Sequence, residues 1–177
     1  MTQTLSRDEP ISRGERAPEF TLPGVHDGEI RTYTLSELTD GQALVLGVYV
    51  YDYSPVCTAQ VCDIADYEWL TLRDDVQVVG VSGDGPYAHM EFAEDHGIGY
   101  PLLCDTAEKL CERYGVLHEG TRDGFSRVPK RSLFLISPDE RVEFAWVADG
   151  NWDDWNPDPV AALNDRLDEL DIGTGGD

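Results

Sequence analysis

The chain has 177 residues, 35 of them acidic against 13 basic, for a formal charge of −22. That length is enough for one domain with a sizeable core, and the charge argues against nucleic-acid binding, which needs basic groups on phosphates. No stretch approaches the ~18 consecutive apolar residues of a membrane span, and the N-terminus lacks the apolar core of a signal peptide, so a cytoplasmic protein is expected. Only Lys109 and Lys130 are lysines, Asp outnumbers Glu, and the acids are spread along the chain. This points to a uniformly hydrated, self-repelling surface suited to a cytosol of very high salt, where short Debye lengths screen the repulsion. Four cysteines in a reducing compartment are expected to be free, catalytic or redox-cycling rather than structural staples.

Residues 1–16 are polar without clear period and read as a mobile arm, and 172–177 as a frayed tail. Residues 17–171 are expected to form a single domain. Residues 17–24 are extended and end in a turn, 28–33 suggest a strand, and 36–38 a helical turn. The apolar run 43–50 reads as a buried strand. A helix is expected from Cys57 to about Leu72, entered through Pro55, whose fixed φ suits a first turn. Another buried strand covers Val76–Ser82. A helix follows over Pro86–His96, opened by Pro86 and closed by Gly97. Leu102–Cys104 is a short strand, and Thr106 is the expected N-cap of a helix running to Tyr114. Residues 131–136 and 141–147 flank the turn at Ser137, Pro138, Asp139 and Glu140 as a hairpin. A last helix covers 159–170. The alternation of strands and helices implies an α/β sandwich with a mixed central sheet flanked by helices.

Cys57 falls at a helix start, among unpaired backbone N–H groups and the positive end of the dipole. Those conditions favour a thiolate. The segment DYSPVCTAQ around it resembles the active-site signature of the peroxiredoxins, the AhpC/TSA family. Ser54 takes the hydroxyl position and Cys57 the peroxidatic cysteine position. Val50 stands where the signature has proline, and Gln60 where Glu is commoner. APEFTLPG resembles the family's N-terminal hairpin, GVSGDGPYAHMEFAEDHGIGYPLLCD its second strand–helix unit, and RSLFLISPDERV its hairpin, so the likeness covers roughly residues 17–150. It implies a thioredoxin-like fold and a thiol-dependent peroxidase acting on hydrogen peroxide and organic hydroperoxides. By the same resemblance, Arg131 is the cation that stabilises the thiolate. Cys62 is the resolving cysteine, as in the bacterioferritin-comigratory or Q-type branch. Otherwise an external thiol resolves the oxidised form, as in the one-cysteine branch. A thioredoxin-like protein is the expected reductant, acting on a monomer or homodimer, with no haem, flavin or metal implied.

Helix geometry adds a demand on Cys62. Five residues at ~100° and ~1.5 Å each separate the Cα atoms of Cys57 and Cys62 by about 8.7 Å, beyond the ~7 Å limit of a disulfide. Resolution by Cys62 therefore requires unwinding of the first turns. Cys104 and Cys111 are expected to pack in the interior, and they are the fallback resolving thiols. The four cysteines lack the tight pairs of structural zinc, and His26, His89, His96 and His118 show no ligand spacing and are expected at the surface or at helix ends. Two other readings stay open: a redox-sensing or relay protein in which Cys57 only registers oxidant, and a thioredoxin-like disulfide reductase, which would want Cys-x-x-Cys.

Overall fold

A computed structural model describes residues 9–52, 55–66, 73–118, 121–122, 125–126, 128–148 and 158–170. The strands are β1 (Thr21–His26), β2 (Glu29–Thr34), β3 (Ala43–Val48), β4 (Val76–Ser82), β5 (Leu102–Cys104), β6 (Thr121–Arg122), β7 (Phe125–Ser126), β8 (Ser132–Ile136) and β9 (Val142–Val147). The helices are α1 (Leu35–Leu38), α2 (Pro55–Asp66), α3 (Pro86–His96), α4 (Lys109–Tyr114) and α5 (Asp158–Glu169). Seven strands form one sheet in the order β2-β1-β5-β4-β3-β8-β9, and β6 pairs with β7. β3, β4 and β5 run parallel, whereas β8 joins β3, and β1 joins β5, antiparallel. The sheet is therefore mixed and flanked by helices, as expected.

Every residue of β3 is buried, which is what coverage of both faces demands of a central parallel strand. Its alternate side chains feed two cores. Val45 joins Val78, Leu133 and Leu135 beneath Val61 and Ile64 of α2, Phe92 of α3 and Leu163 of α5. Leu44, Leu46 and Val48 join Val79, Val81 and Phe134 beneath Leu35 of α1 and Leu110 and Tyr114 of α4. Gly47 sits under α2. A Cβ there would lie 3.2 Å from Ile64 Cδ1 and 3.8 Å from Gln60 Nε2, so the missing side chain lets the helix press on the strand.

Several expectations need correction. Residues 11–16, expected within a mobile arm, are instead held against the domain. Ile11 is 1% exposed, its N–H donates to the Tyr114 carbonyl, and the Ala17 N–H donates to the Glu140 carbonyl. Backbone hydrogen bonds of Gly14 and Glu15 with Val142 complete the anchorage. β1 runs through Gly24 rather than turning there. The strand expected over 43–50 stops at Val48, leaving Tyr49 and Val50 as buried loop residues. α2 begins at Pro55 itself and is described to Asp66; the expected continuation through 72 lies outside the described residues. The helix placed after Thr106 starts only at Lys109, because Glu108 takes a left-handed conformation (φ 59°). Asp105 does the capping, its two carboxylate oxygens accepting from the N–H groups of Leu110 and Cys111 at 3.1 Å each. β6 and β7, two residues each, were not foreseen. The expected tail at 172–177 lies outside the described residues. Among the described residues, no helix is long and apolar enough to cross a membrane.

Candidate active site

Cys57 is the third residue of α2, within the turn whose backbone N–H groups have no partner inside the helix. Its side chain, and all of Ser54, lie outside the described residues. The helix is held at this end by the residue one turn on. Gln60, on the same face as position 57 by helical spacing, is fully buried. Its amide donates to the carbonyls of Val48 (3.2 Å) and Ser132 (3.4 Å), the last residue of β3 and the first of β8. Those two residues are register partners, so α2 is stitched to the seam between the strands.

Arg131 immediately precedes that seam. It is 2% exposed, and its Nη1 donates to Gln60 Oε1 at 2.9 Å. The structure thus brings the cation proposed from sequence to the helix that carries Cys57, through a residue noted in the sequence only as a departure from a pattern. Guanidinium suits the place because it keeps its charge when buried and presents a planar fork of donors.

Cys62 lies further along α2, half-buried against the first core. Both cysteines belong to one continuous helix, so the ~8.7 Å separation of their Cα atoms holds. Next to Cys62, the Tyr100 hydroxyl donates to the Val61 carbonyl at 2.8 Å, fastening the middle of the helix to the loop before β5. Cys104 and Cys111 are interior, at 1% and 0% exposure. Burial, reinforced by the neighbouring Asp105 carboxylate, pushes the Cys111 thiol well up, which leaves it protonated and unreactive.

His89 overturns the expectation of a surface or helix-end histidine. It is fully buried, on the inner face of α3 with Phe92, and its Nδ1 lies 2.7 Å from Asp52 Oδ2. Burial alone would lower its pKa; the hydrogen bond to Asp52, with Cys104 and the Asp52 charge adding to it, raises it instead to about 10. Ligand atoms of Asp52, Asp84 and His89 lie within 4.8 Å of one another. They make a poor metal centre, because His89 Nε2 is 2.9 Å from the Leu103 carbonyl and both ring nitrogens are thereby engaged as donors. The signal in the sequence was the spacing of His89 and Phe92, three apart on the apolar stripe of a helix.

Residues 13–145 match the model of the AhpC/TSA family. The putative peroxiredoxin bcp of Coxiella burnetii is 32% identical over 137 residues, spanning 77% of this chain and 88% of the relative. Peroxiredoxin Bcp of Escherichia coli K12 is 35% identical over 141 residues, spanning 76% and 84%. The crystal structure of peroxidoxin BcpB from Mycobacterium tuberculosis superposes with a TM-score of 0.75 at 25% identity, covering 90% of this chain and 98% of that one.

Proposed function

Since the chain belongs to the AhpC/TSA family of peroxiredoxins and is a thiol-dependent peroxidase, we propose that Cys57 is its peroxidatic sulfur, with Ser54, Arg131 and Cys62 as partners. The thiolate attacks the terminal oxygen of a hydroperoxide. The O–O bond breaks, sulfur is oxidised to sulfenic acid, and the other oxygen leaves with the bonding pair and takes up a proton as water or alcohol. N–H groups of the first turn of α2 and the Ser54 hydroxyl donate to thiolate and peroxide, while Arg131 stabilises the negative charge. The Cys62 thiol then displaces hydroxide from the sulfenic sulfur, which leaves as water, and a disulfide forms. A thioredoxin-like dithiol restores both thiols by exchange.

The observation that carries this reading is the buried Arg131 guanidinium held by Gln60 one turn along the helix from Cys57. Peroxide turnover with a thioredoxin system tests it in wild type, Cys57→Ser and Cys62→Ser. Turnover is expected to vanish in the first variant and to stall after one oxidation in the second. Full turnover by Cys57→Ser would reject the assignment. Sustained turnover by Cys62→Ser would move the enzyme to the one-cysteine class, resolved by an external thiol.

A further inference from the structure

A buried ion pair lies where the chain leaves β3 for α2. Asp52, three residues ahead of the first residue of α2, is held at its N–H and at both carboxylate oxygens. Its N–H donates to Asp84 Oδ2 at 2.8 Å, its Oδ1 accepts from the Tyr49 hydroxyl at 2.6 Å, and its Oδ2 accepts from His89 Nδ1 at 2.7 Å. Asp84 is fixed in turn by the Ser82 hydroxyl at 2.6 Å. The far nitrogen of His89, Nε2, is 2.9 Å from the Leu103 carbonyl on β5. Both the carboxylate and the carbonyl are acceptors without a proton to give, so both ring nitrogens donate and the ring is an imidazolium. Asp52 and His89 side chains are 1% and 0% exposed. Four separate pieces of chain, the segment after β3, the turn after β4, α3 and β5, meet on this one pair.

We infer that Asp52 and His89 are positioning residues of the peroxide site, fixing the point from which the reactive segment springs and so the placement of the first turn of α2 against Arg131. The inference rests on Cys57 being the attacking sulfur. An ion pair does this work where a neutral contact would not, because a buried charge cannot leave without stranding its partner. The pair also sets a limit to any unwinding of α2. Asp52 is expected to stay in place when α2 unwinds, so that the helix re-forms from the same origin after each cycle.

Titration provides the discriminating readout. The groups facing the ring are Asp52 and Tyr49 from the segment after β3, Asp84 behind Asp52, and Cys104 from β5. The ring's pKa is raised from 6.5 to about 10, so the stability it contributes is complete below about pH 6.5 and is lost as pH rises through about 10. The rate at which hydrogen peroxide oxidises the thiol in a single turnover is measured on the full chain from about pH 6 to about pH 11, with circular dichroism at each pH. The wild-type rate is expected to fall as pH passes about 10, despite a full complement of thiolate. In Asp52→Asn the fall is expected to move to lower pH. In His89→Gln it is expected to disappear, leaving a rate at neutral pH about tenfold or more below wild type, the usual consequence of a displaced reacting group. Should either variant fail to fold, the nitrogen-15 spectrum of histidine-labelled wild type decides: both ring nitrogens of His89 are expected to be protonated near pH 8. A wild-type rate level through the alkaline range, wild-type rates in folded His89→Gln, or a His89 ring that titrates near 6.5 would overturn the inference. Absence of any peroxide-driven oxidation in wild type would instead overturn the assignment of Cys57, whatever the state of His89.

Discussion

Gln60 is engaged at both ends of its side-chain amide. Its amide nitrogen faces two carbonyl oxygens, and its amide oxygen faces a guanidinium. A carboxylate in its place would satisfy Arg131 but would turn an acceptor toward the carbonyls of Val48 and Ser132. Gln60→Glu is therefore expected to lose about 2 kcal/mol near neutral pH, the cost of a buried donor replaced by a mismatched acceptor. That corresponds to about 4–8 °C in thermal midpoint for a domain of this size. The deficit is expected to shrink on acidification, since a protonated carboxyl can donate again. Thermal unfolding of the variant at neutral and acidic pH checks both points, and an unchanged midpoint at neutral pH would refute the role given to the amide.

Among the elements, α2 is both the carrier of the two proposed redox thiols and the piece that must come apart for them to meet. Gln60 ties its start to the β3–β8 seam, and Tyr100 ties its middle through the Val61 carbonyl. Removing the Tyr100 hydroxyl forfeits about 1 kcal/mol. Tyr100→Phe is accordingly expected to form the Cys57–Cys62 disulfide about fivefold faster where unwinding limits the step. Rapid-quench thiol alkylation after one equivalent of peroxide measures this, and hydrogen exchange across 55–66 in reduced and oxidised protein locates it. Equal disulfide rates, with equal exchange in both redox states, would mean that α2 stays wound.

Elements with strong local signals were legible in the sequence. β4 and α3 fall at the bounds expected of them, Val76–Ser82 and Pro86–His96, because a run rich in β-branched residues and a Pro-opened, Gly-closed helix leave little freedom. Gly97 closes α3 in the left-handed region at φ 64°, where a residue with a Cβ is disfavoured. Elements settled by distant partners were not legible. α4 depends on the Asp105 carboxylate and on the conformation of Glu108. Likewise, Arg131 was reached by likeness to a family strand, but its Gln60 partner is 71 residues away in sequence. His89 and Asp52 are 37 apart, and no local pattern joins them.

At the scale of the molecule, a charge of −22 over 177 residues makes compactness depend on the surrounding ions. The Debye length shrinks from ~10 Å at 0.1 M to ~3 Å at 1 M salt, so repulsion between neighbouring acids fades over that range. The thermal midpoint is expected to climb by several degrees between dilute buffer and multimolar potassium chloride. A midpoint indifferent to salt would remove the proposal that this surface belongs to a very saline cytosol. Buried pairs such as Asp52 and His89 are shielded from those ions, so the alkaline behaviour of the site is expected to change little with salt.

If Cys57 and Cys62 hold their proposed roles, the phenol on the Val61 carbonyl is expected to act as a timer as well as a fastening. A sulfenic acid that waits for its helix to open is exposed meanwhile to a second oxidant molecule, and that further oxidation to sulfinic acid is irreversible for most such proteins. On that proposal, weakening this one hydrogen bond is expected to lower the share of enzyme spent before it is recycled.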